Sequence, residues 1–135
     1  MKKVKYFSFD SDPDLAALHE KNVKWDEAFS KLMRYQNDGI GLEKSKDYDV
    51  AILSYEKAVK FGERSPLLHI NDYLYSIERL AVLYRRFKNY ADECAVLRLG
   101  LSHRSDPNVY DKYFERLAVR LEKAEALLRK TKTTD

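Results

Sequence analysis

The sequence has little with which to turn. Four glycines and three prolines are spread over 135 residues, whereas a sandwich or barrel of short strands needs a turn residue every few positions. Long helices with few connections are the reading that so few turn residues favour. Cysteine is nearly absent as well: Cys94 stands alone, which excludes an intrachain disulfide and a cysteine-based zinc site. No stretch approaches the roughly 20 apolar residues of a membrane span. The opening MKKVKYFSFDSD carries lysines but no apolar run of the kind a secretory leader needs, so a cytoplasmic setting without membrane contact is expected. An excess of charge of one sign is also missing. The net charge of +3 is divided almost evenly, with eight basic and eight acidic residues in 1–45, ten and eight in 46–104, and seven and six in 105–135. Nothing here is a basic tail that coats nucleic acid; a charged surface must be assembled by folding.

What is present describes one soluble all-α domain. Hydrophobic residues make up 44% and charged residues 35% of the chain, enough for a core at this length. Residues 1–24 read as an N-terminal arm and a short helix. In the arm, KKVKYFSF alternates over a short range, and Asp12-Pro13-Asp14 is a helix start: an acceptor for free N–H groups, a proline that needs no N–H, and an acid at the positive end of the dipole. A helix is predicted from Trp25 to about Lys44, with Gly39 and Gly41 implying that something packs too closely for a side chain. KSKDYD breaks it. A second helix carries Ala51, Ile52, Tyr55, Ala58 and Val59 on one face. Ser65-Pro66 is read as the start of a third helix, with Leu67, Ile70, Leu74, Ile77, Leu80, Ala81 and Tyr84 on its stripe. KNY precedes a fourth, holding Cys94, Leu97 and Leu101, and Ser105-Asp106-Pro107 is read as the start of a fifth that runs to about Lys130. Residues 131–135 form a polar tail.

Two of these helices share a pentapeptide. ERLAV occurs at Glu78–Val82 and again at Glu115–Val119, and the match extends upstream, NDYLYSIERLAV against NVYDKYFERLAV. SKDYDVAILSYEKAV and FKNYADECAVLRLGL likewise share a Lys-polar-Tyr turn. The unit is helix, turn, helix, present twice and begun a third time. Over residues 25–130 it resembles the tetratricopeptide repeat: Tyr35, Gly39, Leu42, Tyr48, Ala51, Tyr55 and Ala58 match the first unit, and Ile77, Leu80, Ala81, Tyr84, Tyr90, Cys94, Leu97 and Gly100 the second. Asp38, where the family has leucine, and Glu93, where it has a small alanine, depart from the pattern.

The resemblance implies a short right-handed superhelix whose first helices line a groove for a peptide. It places Gln36, Asn37, Ile40 and Lys44 there, then Tyr75, Glu78, Arg79, Val82, Arg85 and Arg86, then Lys112, Glu115, Arg116, Val119 and Lys123. Leu80/Ala81 and Leu117/Ala118 would face the core. Arg79, Arg86, Arg116 and Lys123 would form a basic stripe suited to carboxylates or phosphates, unless the Glu-Arg pairs neutralise one another across neighbouring helices. The groove does not match the clamp for chaperone C-termini, since Ile40 and Arg79 stand where that clamp wants asparagine.

No catalytic constellation is evident, and neither enzyme activity nor a cofactor is expected. Phe9-Asp10-Ser11-Asp12 resembles a phosphatase Asp-x-Asp or a calcium loop only in its letters; helix capping explains it better. His19, His69 and His103 lie far apart without a ligand-spaced neighbour, and Cys94 falls on a core stripe. The expected partner is a protein or peptide of acidic character, with self-association also open and the ten tyrosines suited to a contact surface. The alternative is a nucleic-acid-binding or regulatory helical protein that uses Arg85-Arg86-Phe87-Lys88 and the basic stripe.

Overall fold

The computed structural model describes residues 13–133; the predicted arm and the Asp12 cap lie outside them. The described residues form five helices: α1 (Pro13–Lys44), α2 (Tyr48–Arg64), α3 (Ile70–Arg86), α4 (Tyr90–Leu101) and α5 (Asp111–Thr133). Each packs against the next in chain order, and α1 also touches α3. The all-α expectation is met. The two stretches read as separate before and after Trp25 are one continuous helix of 32 residues, because nothing between Pro13 and Lys44 breaks the backbone hydrogen-bond pattern.

The breaks at KSKDYD and KNY have the same geometry. Lys46 and Lys88 adopt left-handed φ values of 63° and 58°. Past the end of α1 the Lys46 N–H donates to the Glu43 carbonyl and Asp47 N–H to Leu42 at 2.8 Å; past α3, Lys88 N–H donates to Arg85 and Asn89 N–H to Tyr84, again at 2.8 Å. The six-to-one bond satisfies carbonyls that a helix end otherwise leaves open, and the left-handed residue reverses the chain. Both proline turns, in contrast, start their helices later than the sequence suggests. Ser65 closes α2, and α3 begins at Ile70, where the Asp72 carboxylate accepts from His69 N–H at 2.9 Å. Pro107 precedes the start of α5 at Asp111 by the same four residues as Pro66 precedes Ile70. In both places the turn spans the gap to the next helix and does not open it.

The core runs through α2, α3 and α4 and is closed by α5. Tyr55, Tyr73, Leu80, Leu97, Phe114 and Leu117 are all buried. Glycines let the aromatics in. A Cβ on Gly39 would stand 2.6 Å from the Tyr55 ring, and one on Gly62 would stand 2.3 Å from Tyr73. Gly41 has nothing within 4 Å, so the close approach inferred for both α1 glycines holds only for Gly39. The buried tyrosines keep their hydroxyls satisfied at the margin: Tyr55 donates to Glu43, Tyr84 to Glu56 and Tyr73 to Glu63. Burial, and then the neighbouring carboxylate, pushes all three phenols well above the ordinary tyrosine range. These three tyrosines belong to the core, whereas Tyr75 and Tyr110 are exposed.

Opposite effects are expected from alanine at the two α1 glycines. Gly39→Ala drives a methyl group into a buried ring and should cost about 1–3 kcal/mol. Gly41→Ala, in open space inside a helix, should add about 0.5–1 kcal/mol. Urea denaturation of the two variants beside the parent checks both signs.

Candidate functional site

Two helices leave a gap between them. Where α1 meets α3 the space is filled: Ser76, fully buried, donates to Gln36 at 2.9 Å, and Arg79 grips Glu43 through Nε at 2.8 Å and Nη2 at 2.6 Å. Between α3 and α5 a groove of about 950 Å³ remains, lined by Tyr75, Glu78, Arg79, Val82 and Arg85 from α3 and by Lys112, Glu115, Arg116, Leu117, Val119, Arg120 and Lys123 from α5. Tyr75, Arg79, Val82, Lys112, Arg116, Val119 and Lys123 of the expected groove are thus brought together. Gln36, Asn37, Ile40, Lys44 and Arg86 do not line it. Gln36 is taken by Ser76, Ile40 packs partly buried against the core, and Asn37 and Lys44 are exposed on α1. Arg86 lies over the Tyr48 ring at 4.0 Å.

The charges are arranged differently from the stripe expected. Arg79 is held by Glu43, and Arg116 by Glu78 of the first ERLAV copy while it also lies 5.0 Å from the Tyr113 ring. Hydrogen bonding to those carboxylates raises both arginines above their ordinary values. The duplicated Glu-Arg therefore forms a ladder from α1 through α3 to α5, and the ladder stops at Glu115, which makes no ion pair among the described residues. The expectation that these pairs neutralise one another is met for Glu78 and Arg116, with the remaining arginine pairing backwards onto α1.

Arg120 and Glu93 complete the floor, and neither was assigned to the site from the sequence. Glu93 of α4 is wholly buried. Arg85 binds it in two places, Nε at 3.0 Å and Nη2 at 2.7 Å, and Arg120 Nε lies 3.3 Å from its Oε2. Two guanidinium groups thus share one carboxylate, which leaves an uncancelled positive charge at the groove floor. Arg120 Nε and the Glu93 Oε2 it faces are both buried and neither makes a hydrogen bond, so Oε2 is held by ion-pair contact alone. Burial, and then the adjacent Arg85, lowers Arg120 below the usual arginine value. The signal available in the sequence was Glu93 itself: an acid on a core stripe must be paired, and Arg120, five residues past Glu115, falls on the α5 face that carries Lys112, Arg116 and Lys123 at helical spacing.

Six basic and two acidic residues line the groove, and Glu43 and Glu93, which sit behind the arginines, leave it positive. Lys112 and Lys123 make no ion pair among the described residues; Lys112 stands 5.7 Å from the Tyr110 and Tyr113 rings. Val119 is 70% exposed within this charged setting. Such a surface suits an anionic segment with apolar side chains. The basic run proposed for nucleic acid is dispersed: Arg85 is committed to Glu93, and Arg86 to Tyr48. Of the remaining candidates, His103 contacts Glu63 at 2.7 Å, His69 caps α3, and Cys94 is buried, its thiol pushed up by burial.

Removing both arginines while keeping the acid should expose what the floor costs. Arg85→Met with Arg120→Met orphans Glu93 and should lose about 3–5 kcal/mol, and adding Glu93→Met should restore most of it. Urea midpoints of the double and triple variants decide this. A second expectation concerns acid. Hydrogen bonding from Arg79 holds the Glu43 carboxyl below its ordinary value of 4.5. Its contribution is therefore present above that value and lost as pH falls through the lower folded one. Glu43→Gln should be less stable than the parent at neutral pH, and the gap should close on acidification below about pH 4.5. Melting temperatures across that window measure it.

No family model matches the chain, and no curated protein or solved structure matches it either.

Proposed function

We propose that the chain is a tetratricopeptide-like, non-enzymatic interaction module whose α3/α5 groove holds an acidic segment of a partner protein. The observation that carries the reading is the groove itself: apolar Val82, Val119 and Tyr75 set among six cations and two acids, over a floor where two arginines share one carboxylate. Supporting the repeat reading are the paired left-handed turns at Lys46 and Lys88, and the small residues Gly39, Ala51 and Ala58 around Tyr55. A bound carboxylate would find Lys112 and Lys123 unpaired and Arg120 only half compensated. These groups give direction and on-rate through their charge, and the valines give area. Of the two features behind the nucleic-acid alternative, the run Arg85-Arg86-Phe87-Lys88 is dispersed, and in the stripe Arg79 and Arg116 are paired with carboxylates.

Arg79 and Arg116 are poor probes, because each braces two helices. Lys112 and Lys123 carry no such duty. In a selection of random dodecapeptides on the immobilised protein, enriched sequences should combine Asp or Glu with aliphatic or aromatic residues. Lys112→Glu with Lys123→Glu should weaken them roughly tenfold or more with an unchanged melting temperature. Enrichment of basic or uncharged peptides, or tight oligonucleotide binding that collapses with salt, would overturn the proposal.

A further inference from the structure

Positive charge is unevenly spread along the groove. α5 presents Lys112, Arg116, Arg120 and Lys123 to it, at spacings of four, four and three residues. Residues so spaced are neighbours on a helix surface, so like charges there repel one another. No acid of α5 stands three or four residues from Arg120 or from Lys123. Compensation must come from other helices, and it reaches only part of the row. Two cross-links give the groove its direction. Arg116 holds Glu78 of α3, and Arg85, seven residues further along α3, donates through Nη2 to the Arg120 carbonyl at 3.3 Å. The two helices therefore run in the same sense, and the groove has two distinguishable ends. At the first, Glu78 neutralises Arg116, and Glu115 stands three residues from Lys112. At the second, Arg85, Arg120 and Lys123 have one carboxylate between them, Glu93, and Lys123 makes no ion pair among the described residues. Three cations against one carboxylate leave two positive charges. Arg85 is committed to Glu93 and to the α5 backbone. Arg120 is not: its Nε makes no hydrogen bond, and 30% of its side chain is exposed at the groove.

We propose that this end of the groove is a phosphoryl site, where Arg120 and Lys123 receive a phosphorylated serine or threonine of the partner segment. The proposal rests on the reading of the groove as a site for acidic peptide segments and names the group that anchors one. A carboxylate carries a single charge and cancels half of the local excess. A phosphorylated side chain carries about −1.5 to −2 at neutral pH and offers three acceptor oxygens, which matches both the charge and the open donors. The two cations divide the work by their chemistry. A guanidinium group forks onto two oxygens, while an ammonium group acts as a compact point charge. An anion at Arg120 also offsets the repulsion from Arg85, which together with burial disfavours the charged form of Arg120. Apolar contact lies beside the anion, with Val119 four residues before Lys123 and Val82 on the facing wall. The site therefore fits a phosphorylated residue flanked by apolar ones. A nucleic-acid backbone presents charge along its whole length, whereas the excess here is confined to one end.

Three pools of dodecapeptides test this, random at every position except a fixed sixth residue that is phosphoserine, glutamate or serine. On the immobilised full chain at physiological ionic strength, the phosphoserine pool should be retained roughly tenfold better than the glutamate pool. The glutamate pool should in turn exceed the serine pool. Lys123→Met, at an exposed position, should bring the phosphoserine pool down to the level of the glutamate pool without changing the melting temperature. Lys112→Met, at the balanced end, should lower both pools alike and keep their ratio. A phosphoserine preference that survives Lys123→Met, or that Lys112→Met removes instead, would overturn the proposal. Phosphoserine and glutamate pools retained equally, both above serine, would sink the phosphoryl site and leave the acidic-peptide reading standing. Equal retention of all three would sink both. Inorganic phosphate or a single-stranded oligonucleotide that binds the chain more tightly than the retained phosphopeptides would also overturn it, since either displaces the peptide as occupant.

Discussion

A carboxylate without access to water must be surrounded by opposite charge, and Glu93 meets that requirement by drawing in Arg85 from α3 and Arg120 from α5. Three helices are tied by one buried group. Because the desolvation cost of such a group is several kcal/mol and is offset only by good pairing, the relative placement of α3, α4 and α5 is strongly constrained. The same arrangement sets the character of the groove above it. One negative charge for two positive ones leaves a positive floor, with Arg120 Nε lacking a hydrogen bond. Structure and candidate function thus have a common origin in a single acid at a position where a small residue would have packed more simply.

The other ion pairs act along the edges of the same layer. Glu43 to Arg79 and Glu78 to Arg116 join α1 to α3 and α3 to α5. The first is partly buried and bidentate, and the second is more exposed and worth at most about 1 kcal/mol. Their consequence for recognition is subtractive. They occupy the arginines that a linear reading would assign to a ligand, while Lys112 and Lys123 of the groove make no ion pair among the described residues. A surface cation that already has a carboxylate 2.6 Å away, as Arg79 has, is a poor anchor for a second one.

Much of the architecture was legible because it rests on local rules. Helix periodicity identified the buried faces of α2, α3 and α5, and the Lys-polar-Tyr letters marked two breaks that fold in the same way. The proline turns misled by four residues each, since Pro66 and Pro107 end one segment's geometry before the next helix begins. Matching letters also diverged in environment. Tyr73 is 2% exposed inside α3, whereas its counterpart Tyr110 lies just before α5 and is 74% exposed. The repeat carries its packing half, Leu80 and Leu117, faithfully into the core, while its other letters take whatever the neighbouring helix provides.

The sequence by itself determined the class of the fold, the helices and their apolar faces, and the exclusion of an intrachain disulfide. These follow from spacing and composition, which act over a few residues. Only the tertiary structure decided which cations of the groove are left without an ion pair among the described residues, and that the groove lies between α3 and α5 and not along all three first helices. Each of those depends on which side chains meet across helices 36 to 40 positions apart, as Arg79 meets Glu43 and Ser76 meets Gln36. Such meetings are set by packing distances that no local pattern encodes.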